Sequence, residues 1–248
     1  SALVCAWCGR APDSWRCPHC AGRELRGGRV GSSRTAEEIA RNLPGTSVLE
    51  SSAAHRISRT LPSRPAVVVS TAGAEPAVEG GYACAVILDA AALASRPELW
   101  APEEAARRWL NALSLVRPGH PSLVVGRIPD ALGQMLVRWS PTDYAQRLLD
   151  EREALGFFPA CTMVALDGPP TQVRQVADQV VREGGAQLVG TVAVPASHEG
   201  EEHQVRTLVR TSLPDTAAML ATLTDIRRSR SARKAPLVKM SVNPPELF

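Results

Sequence analysis

Two cysteine pairs, Cys5-Ala-Trp-Cys8 and Cys17-Pro-His-Cys20, define the narrowest chemistry in this chain. A two-residue spacer lets both sulfurs of a pair reach one ion from a tight turn, and Gly9 and Pro18 suit such turns. Two pairs supply four thiolates, the ligand set of a tetrahedral zinc site with no position left for water or substrate. A zinc held this way by Cys5, Cys8, Cys17 and Cys20 is structural: it organises a segment and performs no reaction. The same spacing also serves thiol–disulfide exchange, and a catalytic zinc is a third alternative. His19, enclosed between two ligands, reads as a packing or contact residue.

The second group is cationic. Between Ile226 and Lys239 lie Arg227, Arg228, Arg230, Arg233, Lys234 and Lys239, with no acidic residue among them. The net charge of the whole chain is only +3, so the average says little about nucleic acid. A field concentrated on one segment still acts on polyanions. Two readings of Arg227, Arg228, Arg230, Arg233 and Lys234 stay open: a contact strip for DNA phosphates, and cations favoured by a helix carboxyl end. Trp7 and Trp15 could stack on bases, or cover the cysteine pairs.

Other candidates weigh less. The segment 71–81 follows an apolar run and contains glycines, but it lacks Gly-Lys-Ser/Thr and carries Glu75 and Glu79, which repel phosphate. It reads as a connecting loop. Asp89 closes an apolar strand, a place for an active-site carboxylate or for a helix-capping or loop-orienting acid. The five histidines are scattered over loops and form no triad with a serine and an acid. Six cysteines, four of them at metal spacing, fit a reducing compartment, hence a cytoplasmic location. Cys84 and Cys161 are expected as buried free thiols. No run is long enough to cross a membrane, and no leader with a cleavage site opens the chain. It begins with Ser rather than Met and reads as part of a longer polypeptide.

The elements that must position these groups follow from periodicity. Residues 25–30 read as a short strand, and Thr35-Ala-Glu-Glu38 as a capping box that opens a helix ending before Pro44-Gly45. Ala66–Ser70, Ala83–Leu88 and Ser122–Val125 are short apolar runs of the kind buried on both faces of a parallel sheet. Helices over Glu103–Val116 and Ile128–Val137 alternate with them, implying βαβ units and a doubly wound sheet. Ser140-Pro141-Thr142-Asp143 starts a connecting helix that stops at Gly156. Beyond it the order becomes strand 161–166, helix 170–182, strand 187–194, strand 204–211, helix 214–228 and strand 236–242. That β-α-β-β-α-β order is the ferredoxin-like pattern, with a polar loop at 196–203 between its middle strands.

Taken together, the segments resemble the carboxy-terminal part of the PriA family of primosomal replication-restart proteins, in its actinobacterial branch. The resemblance is carried by Cys5-Ala-Trp-Cys-Gly-Arg10, Trp15-Arg-Cys-Pro-His-Cys20, Arg34-Thr-Ala-Glu-Glu38 and Asn42-Leu-Pro-Gly45. It continues through Gly73-Ala-Glu-Pro76, Glu79-Gly-Gly-Tyr82, Leu88-Asp-Ala90, Glu103-Glu-Ala-Ala-Arg-Arg-Trp109 and Val137-Arg-Trp139, then Leu155-Gly-Phe157 and Arg230-Ser-Ala-Arg-Lys234.

The resemblance implies zinc knuckles over 1–24, a degenerate second RecA-like helicase lobe over 25–140, a connecting helix over 141–156, and a DNA-binding domain over 157–248. It also implies a superfamily-two helicase parent whose nucleotide-gripping lobe is not in this chain. The family's second-lobe motif with paired Gly-Arg units, which supplies an arginine finger, is replaced by Leu113-Ser-Leu-Val-Arg-Pro-Gly119, leaving Arg117. Losing such a finger costs phosphoryl transfer several orders of magnitude. The family has four cysteine pairs on two zincs with interleaved pairing, so the two pairs here either share one ion or serve two. The implied function is binding of forked or single-stranded DNA in replication restart, without helicase activity or catalytic residues. Single-stranded-DNA-binding protein and the replicative helicase or its loader are the implied partners. The alternatives are an ATP-dependent 3′–5′ helicase whose first lobe lies elsewhere, and a protein-docking scaffold.

Overall fold

The computed structural model describes residues 16–17, 19–22, 31–96, 98–194 and 204–247. The expected strand at 25–30 and the loop at 196–203 lie outside the described residues, as do Cys5 and Cys8. The chain divides into two compact units, one over 1–97 and 101–139, the other over 98–100 and 140–248.

The first unit runs α1 (Ser32–Asn42), β1 (Ser47–Ser51), β2 (Ala66–Ser70), β3 (Ala85–Ile87), α2 (Ala91–Ala94), α3 (Ala101–Leu113), β4 (Ser122–Val124) and α4 (Asp130–Arg138). The capping-box expectation is corrected. The helix begins three residues before Thr35, whose hydroxyl instead donates back to the Gly31 carbonyl at 3.3 Å. Ser32 and Ser33 spend their hydroxyls on the Glu50 carboxylate in β1, at 2.7 and 2.8 Å. Strand β1 has no counterpart among the sequence expectations, because Ser47-Val-Leu-Glu-Ser51 mixes polar and apolar residues without a continuous apolar run.

The strands are parallel, but they form two separate two-stranded sheets: β1 with β2, and β3 with β4. Burial on both faces is also corrected. Residues of β2 are half-buried or exposed, and β3 alternates half-buried with exposed. Helix α3 packs on β3 and α4, burying Ala101, Ala105 and Trp109 one turn apart. Cys84, expected buried, is exposed.

The second unit runs α5 (Pro141–Leu155), β5 (Thr162–Gly168), α6 (Pro170–Glu183), β6 (Gln187–Val194), β7 (Gln204–Thr211), α7 (Thr216–Ala232) and β8 (Lys239–Val242). Ser140 takes the N-cap position of α5, although its side chain makes no cap bond. The four strands form one antiparallel sheet in the order β6-β7-β5-β8, the arrangement of ferredoxin-like folds. Register puts Val164 opposite both Val209 and Val242, so these share the face that α6 and α7 cover. Helix α6 contributes Val173, Val176, Ala177 and Val180, an i, i+3, i+4, i+7 stripe, and α7 contributes Met219, Leu223 and Ile226.

On the other face, Cys161, Met163, Ala165 and Leu208 are buried beneath Phe157 and Leu247. The C-terminal segment is anchored there by Asn243, whose side-chain oxygen accepts the Met163 N–H at 3.0 Å and whose own N–H donates to the Met163 carbonyl. Asp167 and Arg206, opposite each other in register, pair bidentately at 2.7 and 3.1 Å, with side chains only 18% and 22% exposed. Helix α5 ends at Gly156, whose left-handed φ of +67° disfavours any other residue and against which the Arg210 guanidinium lies. That guanidinium donates to the carbonyls of Leu155 and Gly156, both at 2.9 Å, closing the helix end with a cation.

Candidate functional site

The cationic segment falls at the carboxyl end of α7 and in the turn that follows. The buried stripe Met219–Leu223–Ile226 recurs at Arg230, the next position of the same helical face. Arg230 is accordingly half-buried, and its guanidinium donates to Gln172 Oε1 of α6 at 2.9 Å and to the Pro236 carbonyl at 2.7 Å. It fastens the post-helix turn to the neighbouring helix. The stripe is legible in the sequence and separates Arg230 from its neighbours.

Arg227, Arg228, Arg233 and Lys234 are all exposed. Arg228 faces Asp225 at 3.5 Å with both side chains 77% exposed, a pair worth about 0–1 kcal/mol in water and easily exchanged for a phosphate. Lys234 adopts a left-handed φ of +52°, which turns the chain back toward β8. The N–H groups of Arg233, Lys234 and Ala235 are spent on the carbonyls of Ser229, Ser231 and Arg230, so this end presents side-chain cations. The helix carboxyl end favours those cations too, so the dipole and the phosphate reading predict the same residues here.

Of the metal candidates, Cys17 and Cys20 are described. The turn is closed by Ala21 N–H to Cys17 O at 2.8 Å and by Cys17 N–H to Gly22 O at 2.9 Å. Ala21 occupies the left-handed region at φ +55°. The N–H groups of His19 and Cys20, followed by the Cys20 thiol, hold the pKa of the Cys17 thiol below its ordinary value. A turn whose amides favour thiolate suits a soft divalent cation, so this half fits zinc. Among the described residues no group of three or more His, Cys, Asp or Glu side chains converges as a metal site, and the partner pair Cys5 and Cys8 lies outside them.

In the first unit two anion-type positions are filled by the chain's own carboxylates. Glu50 accepts both serine hydroxyls at the start of α1, which, with a smaller contribution from His55, lowers its pKa against the opposing effect of burial. Glu75 folds back so that its two oxygens accept the Gly73 N–H at 3.0 and 2.9 Å. The amide of the glycine-bearing loop is therefore engaged internally. Asp89 sits at φ +51° with its carbonyl accepting the Ala92 N–H, a turn residue that leads into α2. Arg117 is exposed, and its backbone N–H donates to the Tyr82 carbonyl at 3.0 Å. Cys161 is buried as expected, and burial raises its thiol pKa against the opposing Arg210 charge.

Residues 153–245 match the family "Primosomal protein N C-terminal domain". The chain is 38% identical over 195 residues to a "Probable replication restart protein PriA" of Mycobacterium leprae, covering 77% of the chain and 30% of that protein. It is 35% identical over 260 residues to the protein of the same description in Mycobacterium tuberculosis, covering 97% of the chain and 39% of that protein. A solved structure of CPII bound to ADP and bicarbonate, from Thiomonas intermedia K12, is similar over 33% of this chain and 82% of that one, at 11% identity and a TM-score of 0.22, too slight a likeness to build on. The chain thus spans about two-fifths or less of the length of these relatives. By its sequence over nearly its whole length and by its matched domain, the chain belongs to the PriA family of replication restart proteins.

Proposed function

We propose that this chain serves PriA-type replication restart by binding forked or single-stranded DNA through the outward cations at the end of α7, without helicase activity of its own. The observation that carries the reading is the set Arg227 and Arg228 at the end of α7 with Arg233 and Lys234 just beyond it, all exposed, next to a turn that Arg230 pins in place. Such contacts are salt-sensitive and carry little sequence selectivity. Binding of the chain to fork DNA, measured across a salt series, tests it. Replacing the four cations with Ala should flatten the slope of log K against log salt by about 0.7–0.9 for each phosphate deprived of its cation. A slope unchanged by the four replacements, or no salt dependence in the parent chain, refutes the assignment.

In this reading the first unit is a degenerate RecA-like lobe. Its parallel pairs suit that origin, and self-engaged Glu50 and Glu75 argue against phosphate binding at those two positions. Cys5, Cys8, Cys17 and Cys20 are assigned to structural zinc, the support being the turn amides of His19 and Cys20 that lower the pKa of the Cys17 thiol. One zinc per chain by elemental analysis is the expected stoichiometry, and a metal-free chain with all four thiols titratable overturns the assignment. Single-stranded-DNA-binding protein and the replicative helicase or its loader are the partners this reading implies.

A further inference from the structure

Leu237 is 83% exposed, more than any other large hydrophobic side chain among the described residues of the second unit. An exposed leucine alone would call for no explanation. This one is set apart by a backbone held at both ends. Helix α7 stops in a Schellman turn: the Lys234 N–H donates to the Ser231 carbonyl at 3.1 Å and the Ala235 N–H to that of Arg230 at 3.0 Å, with Lys234 left-handed at φ +52°. Pro236 follows, its ring fixing φ, and its carbonyl accepts the Arg230 guanidinium at 2.7 Å. The Leu237 carbonyl lies so close to Gly168, at the end of β5, that a Cβ added there would stand 3.0 Å from it. Val238, the next residue, is buried in the core under α6 and α7. Fixed main chain on either side thus presents an aliphatic side chain to water.

The surroundings decide what that side chain meets. Lys234 and Arg233 stand three and four residues before Leu237, so the Lys234 and Leu237 Cα atoms are within about 11 Å of each other. No acidic residue lies between Ile226 and Lys239. Such a surface draws a polyanion to the turn, and cations hold its backbone without reading its structure. An aliphatic group among them meets the uncharged part of a nucleic acid, the faces of the bases. Leucine is among the side chains that wedge between base steps. In continuous duplex a stack must open to admit it. At a fork the last pair already lacks one neighbour and the bases beyond are unpaired, so the cost falls. We propose that Leu237 is an apolar contact on the terminal or unpaired bases of branched DNA, giving the cationic end of α7 a preference for a fork over continuous duplex. This rests on the reading of Arg227, Arg228, Arg233 and Lys234 as phosphate contacts, and it supplies the structural selectivity that those cations lack.

Fork DNA with 2-aminopurine in the pair at the junction reports unstacking by its fluorescence, and relaxed circular duplex offers phosphates without ends or branches. With the 248-residue chain, the junction signal should rise on binding, while a probe in the middle of one arm should not respond. Leu237→Ala should abolish that rise and weaken fork binding by about tenfold. Affinity for circular duplex, and the slope of log K against log salt, should stay as in the parent chain. Leu237→Met should keep both the signal and the fork preference. A fork preference and junction signal untouched by Leu237→Ala overturn the proposal and leave the cation reading standing. So does an equal loss on fork and circle, which would make Leu237 a support of the turn. Self-association that Leu237→Ala abolishes, with fork binding unchanged, would identify a protein contact and overturn it as well. A parent chain with no affinity for either DNA sinks the phosphate reading and this one together.

Discussion

The β5–β8 sheet and the β3–β4 pair are both built on apolar strands, yet they end in opposite states. In the former, Val164, Leu166 and Val209 face two helices, Met163, Ala165 and Leu208 lie beneath Phe157 and the C-terminal segment, and every one of those sheet residues is buried. In the latter, Val86 and Leu123 stand half open to water. The difference lies in connectivity. An antiparallel β-α-β-β-α-β unit supplies, within about ninety residues, the two helices that cover one face and the return segment that covers the other. A parallel pair needs helices from crossover connections on both sides. Self-sufficiency therefore depends on which elements arrive with the strands, not on hydrophobicity alone.

Truncating the two regions gives the largest contrast. Leu166→Ala should cost about 2–5 kcal/mol, since it empties a site with 0% exposure between the sheet and two helices. Hydrogen exchange resolved by segment should show protection falling across β5–β8. A loss confined to β5 would mean that this sheet is not the cooperative unit described.

Glu50→Gln is expected to have a smaller, pH-dependent effect on the first unit. Hydrogen bonds from Ser32 and Ser33 hold the folded pKa of Glu50 below its ordinary value of 4.5, so the folded state favours the carboxylate. Its stabilisation is complete above that ordinary value and fades as pH falls through the lowered one. Exchange protection in α1 and β1 should therefore differ between variant and parent at neutral pH and converge in acid. A difference that grew on acidification would contradict the assignment.

Leu123→Ala should do least, within about 0.5 kcal/mol in the 248-residue chain, because it truncates a side chain already half in water. A loss as large as that of Leu166→Ala would erase the contrast between the two sheets.

Much of this is legible in the sequence, for reasons that differ between regions. Strands 187–194 and 204–211 have the bounds their patterns predict, and α6 agrees to within a residue; in β7 and α6 the residue pattern coincides with a buried face. Strand β1 escapes because Glu50 lies within it, bonded to two serines that sequence patterns alone do not place nearby. The cationic run reads in sequence as five equivalent groups; one of them, Arg230, is tied to Gln172 and Pro236, residues distant or ahead in the chain. The apolar neighbours of Cys84 predict burial, yet burial requires a covering element that the described residues do not provide.

By itself the sequence determined the element order of the second unit, the tight turn that carries Cys17 and Cys20, and the placement of a cationic segment at the end of a helix. These are local properties, set by spacing, turn residues and the periods of helix and strand. The tertiary structure alone decided that Arg230 meets Gln172, that the Glu50 carboxylate meets the hydroxyls of Ser32 and Ser33, and which apolar strands find cover. Each of those depends on groups distant in sequence meeting in space, and no local pattern encodes such meetings.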